Sequence, residues 1–364
     1  MSTFRPRRVL VTGGAGFIGS AFVRRALARF DGLDRLVVLD ALTYAGHEVN
    51  LAEVADDARF RFVRGDICDH PLVARLFAED DYDTVFHLAA ESHVDRSIDA
   101  ADAFVRTNVA GTFTLLDVAR RAWGPDAAAS RRFVHVSTDE VYGALGPEGE
   151  FTEDSPLCPT SPYAASKAAS DLFVGSFYKT HGLPAVITNT CNNYGPRQLP
   201  EKLLPLMIVH AAEGRPLPVY GEGKQVREWI HADDHADGLC LAAERGVPGE
   251  RYNFGSGDES SNLELVTRVA DLVDAALGRP EGTARAQITF VEDRKAHDFR
   301  YAVDCSKAKE QLGFLASRAL ADELPRTVAW YLANEDWRRA VATDEHARFQ
   351  RAHYAGRGGQ GGRP

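Results

Sequence analysis

Between residues 8 and 30 a short apolar run meets a glycine cluster and then a helical pattern, and few folds accept that order. Arg8 to Thr12 is apolar and β-branched. Thr12-Gly13-Gly14-Ala15-Gly16-Phe17-Ile18-Gly19 follows. Phe17 to Phe30 then carries Phe17, Ile18, Phe22, Val23 and Leu27 at helical spacing. In a strand–turn–helix context, glycines cradle a pyrophosphate. Gly13 permits the tight turn, Gly16 lets backbone approach a diphosphate, and Gly19 lets helix and strand pack closely. The spacing is G-x-x-G-x-x-G.

Further strands are expected at Leu36–Leu39, Phe60–Val63, Thr84–Leu88, Phe133–Val136 and Ala185–Thr190. Helices are expected at His70–Ala78, Ala101–Ala122 and from Ser161 to about His181. Strands alternating with helices imply an α/β fold with a doubly wound parallel sheet. In such sheets ligands bind beyond the carboxyl ends of the strands, where Asp40, Asp66, Ser92 and Thr138 all fall. A carboxylate at position 40 accepts from a ribose 2′-hydroxyl and repels a 2′-phosphate, which favours NAD over NADP. After residue 190 the pattern changes. Asn192 to Pro196 reads as a loop, Asn262–Leu277 as a helix, and Thr327–Ala333 as part of another. The domain reading is therefore a nucleotide-binding domain over 1–190 and a smaller substrate-facing lobe over 191–340 whose chain crosses back to the core. The tail is 341–364, and its Gly-rich end, Gly356–Pro364, reads as disordered.

Net charge bounds the partners. The chain has 364 residues and a formal charge of -10, which disfavours a nucleic-acid partner. Its five cysteines, Cys68, Cys158, Cys191, Cys240 and Cys305, form no C-x-x-C pair, and they read as reduced cytosolic thiols without a metal role. Met1 to Arg8 lacks the apolar core of a signal peptide, and no run is long enough for a membrane span. A cytoplasmic protein is expected.

Two groups carry chemistry. Tyr163 and Lys167 lie four apart on one expected helix and so share a face. A phenol is a poor base at neutral pH; a nearby ammonium and a positive nicotinamide would lower its pKa. The pair could then take an alcohol proton while hydride leaves to the cofactor. Alone, Y-x-x-x-K is more often a surface pair. Thr138, Asp139 and Glu140 end the fifth strand. Adjacent carboxyls do not both ionise easily, so one holds a proton: one acid and one base, as loss of water requires.

These motifs, with Asp40 to Gly46, Gly65-Asp66-Ile67, Leu88 to Arg96, Ser137 to Gly143, Asn192 to Pro196, Pro200 to Leu203, Arg227-Glu228-Trp229, Asp293 to Asp298 and Arg300-Tyr301, resemble the extended short-chain dehydrogenase/reductase superfamily. Within it the chain is similar to the dTDP-glucose 4,6-dehydratase family over about residues 8 to 335. The resemblance implies a hydro-lyase: oxidation at C4, elimination of water across C5 and C6, and hydride return to C6. Tyr163 would take the C4 hydroxyl proton with Lys167 beside it. Thr138 would position that oxygen, Glu140 would take the C5 proton and Asp139 would protonate the departing hydroxyl.

The resemblance also implies contacts. Those to NAD fall to Gly13, Gly16, Phe17, Ile18, Gly19, Asp40, Ala41, Leu42, Thr43, Asp66, Ile67, Leu88, Ala89, Ala90, Ser92, Thr107 and Asn193, besides Tyr163 and Lys167. The nucleotide sugar, dTDP-glucose, would meet Ser92, Thr138, Asn192, Lys202, Leu203, Pro218, Tyr220, Arg227, Asn262, Arg294 and His297. A homodimer would use the stripe Val105, Val109, Leu116 and Ala119. The alternatives are a nucleotide-sugar 4-epimerase or decarboxylase, which needs Tyr163 and Lys167 but not the carboxyl pair, a 4,6-dehydratase acting on another nucleotide sugar, and a non-catalytic NAD-binding protein.

Overall fold

The computed structural model describes residues 4–294 and 297–342; the Gly-rich tail lies outside them. Seven parallel strands form the main sheet: β1 (Arg8–Thr12), β2 (Arg35–Asp40), β3 (Phe60–Arg64), β4 (Thr84–His87), β5 (Arg132–Thr138), β6 (Ala185–Thr190) and, from much later in the chain, Arg251–Phe254. Their spatial order is Arg251–Phe254, β6, β5, β4, β1, β2, β3. The order reverses beside β1, which places a crevice at the carboxyl ends of β1 and β4.

Alternation along the strands explains the two covered faces. Val9, Val11, Leu36 and Val38 point into one core cluster with Phe22, Val23 and Leu239 of the helices Phe17–Arg29 and Ala232–Arg245. Leu10, Val37, Leu39, Val85 and Phe133 point the other way, into a cluster with Val73, Leu115, Leu116 and Val174. Those come from the helices His70–Asp80, Thr112–Trp123 and Pro162–His181. A third cluster is built on Leu206, Leu217, Val269, Val273, Leu324 and Tyr331, from elements that follow residue 190.

Three sequence expectations change. Asn192–Tyr194 is not loop but strand β7, which pairs in parallel with β9 (Val226–His231); its partner lies more than thirty residues on, so local pattern does not show it. The strand Arg251–Phe254, β10, was not foreseen, because its arginine and asparagine break the apolar run. The remaining strands are β8 (Leu217–Tyr220), β11 (Glu259–Ser261), β12 (Ile288–Val291) and β13 (Arg300–Tyr301). Finally, the helix expected over 101–122 is interrupted by a π-helical stretch, Val105–Gly111. The apolar stripe on it divides. Leu116 and Ala119 are fully buried in the monomer core, while Val105 is 57% exposed.

Candidate active site

The crevice opens at the glycine turn. Gly13 has φ +73, and a Cβ there would lie 2.5 Å from Ala89 N; one at Gly19 would lie 2.1 Å from Gly13 O. Neither position accepts a side chain. At Gly16 the nearest atoms would be Gly13 O at 3.4 Å and Ala45 O at 3.9 Å, so that backbone stays open to the cleft it lines. The helix Phe17–Arg29 begins here with no acidic residue in its first turn, which suits an approaching diphosphate. Asp40 is buried at the end of β2. Its Oδ2 accepts from Ala15 N and its Oδ1 from Leu42 N, both at 2.9 Å. Burial raises its pKa and these two bonds oppose that. A carboxylate has about four acceptor sites, so two remain for a ribose. An adenosine diphosphate moiety fits this cradle.

One cleft runs from the glycine turn to the end of β5. It is lined by every expected cofactor residue except Leu42, and by Thr138, Asp139, Glu140, Tyr163, Lys167, Ser92, Asn192 and Lys202. Leu42 stands just outside, in a left-handed conformation at φ 53. The other expected substrate residues, Leu203, Pro218, Tyr220, Arg227, Asn262, Arg294 and His297, do not line this cleft and follow residue 190. There Tyr220 and His297 meet edge to face at 6.0 Å. Arg294 grips Asp95 with two bonds, 2.7 and 2.9 Å. Arg227 donates to the Val226 and Asp298 carbonyls and lies over the Tyr301 ring at 4.4 Å. Lys202 donates to Ser92 O at 2.8 Å, which ties this later part of the chain to the loop after β4.

The helix bearing Tyr163 is capped by Ser161, whose Oγ accepts from Ala164 N at 3.1 Å, with Pro162 in the first turn. Lys167 Nζ donates to Val136 O at 2.8 Å. Burial pushes the Lys167 ammonium down to about 8, with Asp171 opposing. Tyr163 is buried in the same cleft. Burial, and then Glu140, push its phenol up, while a hydrogen bond from Thr138 pulls it down. Lys167 uses one of its three N–H donors on the Val136 carbonyl, and a positive nicotinamide bound in the cleft would add to the field that lowers the phenol.

Asp139 and Glu140 occupy a short turn after β5. Thr138 Oγ1 donates to Asp139 Oδ1 at 3.1 Å and accepts from Glu140 N at 3.3 Å. Burial, then Glu140 and Glu228, hold Asp139 well above the usual carboxylate range. Burial also raises Glu140, but Arg227, Arg294 and Lys202 all oppose it. Both carboxyls are raised by burial, but they face different fields: carboxylates raise Asp139 further, while three cations oppose the rise of Glu140. Among the described residues no cluster of His, Cys, Asp and Glu could hold a metal, and all five cysteines are free.

Sequence reasoning missed the groups that hold the site together. Asn108, buried in the π-helical stretch, binds Glu91 N and O at 2.8 and 3.0 Å and Ser166 Oγ at 2.8 Å. It joins the β4 loop to the helix of Tyr163. A polar residue inside an otherwise apolar helical pattern was the one signal. His235 pairs with Asn193 Oδ1 at 2.9 Å, and Asn193 Nδ2 is spent on Thr190 and Cys191. Nothing in local sequence points to that pairing.

A Rossmann sheet, a glycine cradle, and a Tyr/Lys pair beside two adjacent carboxyls in unlike fields define a nucleotide-sugar dehydratase of the short-chain dehydrogenase/reductase fold. Comparison with known proteins agrees. The family model described as GDP-mannose 4,6 dehydratase matches residues 10–327. A dTDP-glucose 4,6-dehydratase of Neisseria meningitidis serogroup B is 49% identical over 338 residues, 91% of this chain and 95% of that one. Escherichia coli dTDP-glucose 4,6-dehydratase 1 is 45% identical over 362 residues, 96% of this chain and 99% of the other. The crystal structure of DesIV, a dTDP-glucose 4,6-dehydratase from Streptomyces venezuelae with NAD bound, superposes with a TM-score of 0.85 at 48% identity, covering 92% of this chain and all of that one. The chain belongs to the dTDP-glucose 4,6-dehydratase family.

Proposed function

We infer that this chain is an NAD-dependent hydro-lyase converting dTDP-glucose to dTDP-4-keto-6-deoxy-glucose. The observation that carries the reading is the asymmetry of Asp139 and Glu140 within the cleft of Tyr163 and Lys167. An epimerase needs no such pair.

When bound, NAD supplies a positive nicotinamide ring that accepts hydride from C4 and returns it to C6. Gly13, Gly16, Gly19, Asp40 and Asp66 would hold its adenosine diphosphate end. Tyr163 takes the proton of the C4 hydroxyl. Thr138, whose O–H points to Asp139 Oδ1 and whose oxygen accepts from Glu140 N, hydrogen-bonds that oxygen by turning its O–H from Asp139 to the sugar. The C4 ketone acidifies C5–H. Glu140, whose burial raises it while Arg227, Arg294 and Lys202 favour its charged form, is the group suited to remove that proton and to return it to C5 when hydride reaches C6. Asp139, held protonated, donates to the leaving C6 hydroxyl. Lys202, Arg227 and Arg294 are the cations facing this region that suit a nucleoside diphosphate.

The same reading includes a cytoplasmic homodimer. No helix among the described residues is long and apolar enough to cross a membrane. Phe113, Leu172 and Phe173, 45%, 65% and 38% exposed, form an apolar face with Phe113 and Phe173 in edge contact at 6.0 Å. A second copy would bury it.

The test is turnover of dTDP-glucose deuterated at C4. Loss of one water with deuterium at C6 is the expected product by mass spectrometry and NMR. A C4-inverted product of unchanged mass would instead establish an epimerase.

A further inference from the structure

Trp330, Tyr331 and Trp337 form an aromatic cluster far from the reacting groups. Their centroids lie 5.1, 5.0 and 6.0 Å apart, all near edge-on. They come from the helices Leu320–Ala333 and Glu335–Val341. None lines the cleft, yet the cluster sends hydrogen bonds to both of its walls.

One arm reaches the glycine turn. Trp337 Nε1 donates to Asn50 Oδ1 at 2.8 Å, across 287 residues of sequence. Asn50 Nδ2 donates to Ala15 O at 2.9 Å. Asn50 is buried, its N–H binds His47 O, and its carbonyl accepts from Arg24. Its amide therefore has one orientation that serves both partners. The other arm reaches the opposite wall. Tyr331 Oη donates to Gln198 O at 2.5 Å, and Gln198 Nε2 donates to Asn193 O at 3.0 Å. Gln198 and Asn193 both line the cleft. Between the arms, Arg197 lies over the Trp330 ring at 5.6 Å and binds Glu53, in the same turn as Asn50, at 2.6 Å.

We propose that Trp337 and Tyr331 are positioning residues of a clamp that ties the glycine turn to the facing wall and sets how long NAD stays bound. The proposal rests on the cleft being the NAD site. Separating the walls must break an arm, and removing a donor leaves its acceptor without that partner, Asn50 Oδ1 in the interior or the half-buried Gln198 carbonyl at the cleft. In the reaction inferred above hydride goes out to the cofactor and returns from it, so slow release costs no turnover.

The test is exchange of radiolabelled NAD from purified holoprotein against excess unlabelled NAD. Trp337→Phe keeps a ring and removes the N–H; exchange about tenfold faster is expected from one lost buried hydrogen bond. Tyr331→Phe, which removes only a hydroxyl, should act alike and carries the test if the tryptophan variant does not fold. At saturating NAD, kcat stays within about twofold while the KM for NAD rises, the split expected when ground-state cofactor binding alone is lost. Val269→Ala, in the same core cluster, is the control for mere destabilisation: it should lower Tm without faster exchange. Wild-type exchange rates in both clamp variants, or equal acceleration by Val269→Ala, overturn the clamp. A wild-type protein that retains no NAD overturns the cofactor reading and the clamp with it.

Discussion

Asp139 and Glu140 are adjacent in sequence and both raised by burial, and they differ in the charges that face them. Asp139 has Glu140 and Glu228 near it, while Glu140 has Arg227, Arg294 and Lys202. Because the folded pKa of Asp139 is raised, its stabilising contribution is present below the unfolded value of 3.8 and is lost as pH rises towards the folded one. Asp171 is the reverse case. Arg251 and His135 overcome its burial and depress it, so its contribution is lost as pH falls below 3.8. Asp139→Asn should therefore raise Tm at neutral pH and flatten the decline between pH 4 and neutrality; a variant less stable than wild type throughout would contradict the assigned field. Combined with Glu140→Gln, it should leave C4 oxidation intact and slow elimination about 10²–10⁴-fold, so reduced cofactor accumulates by absorbance. At this scale the sequence showed which residues stand at the strand end. It did not show how the two carboxyls differ, since the deciding cations lie 62 to 154 positions downstream of Glu140.

The glycine turn shows what one element demands. Gly13 combines φ +73 with a Cβ position 2.5 Å from Ala89 N, whereas Gly182, at φ +68, would meet nothing within 4 Å. Gly182→Ala should cost about 1–2 kcal/mol, the left-handed penalty alone, and leave NAD binding unchanged by titration calorimetry. Gly13→Ala should abolish that binding, because β1 and the loop after β4 must separate to admit a methyl group. Equal effects of the two changes would refute close approach as the reason for glycine. This turn was legible because strand, glycines and helix are consecutive. The π-helical stretch Val105–Gly111 was not, since its apolar spacing also suits an α-helix, and neither was β7, whose pairing partner is distant in sequence.

At the scale of the molecule, the stripe expected to join two subunits is divided. Leu116 and Ala119 serve the monomer, Val105 stays exposed, and a further exposed apolar group lies at Phe113, Leu172 and Phe173. Leu172→Glu should give a monomer in sedimentation velocity with secondary structure unchanged, because a charge would have to be buried unpaired. An unaltered sedimentation coefficient would place any subunit contact elsewhere.

The sequence by itself determined the parallel sheet, the nucleotide cradle and the residues at the strand ends. Those features follow from local periodicity and from glycines that short-range sterics require. Contacts in space alone show which charges face each carboxyl, where Lys167 sends its ammonium, and how Asn108 and Asn50 bind loops far apart in the chain. Fields and hydrogen bonds between distant segments depend on distances in space, and spacing along the sequence does not encode them.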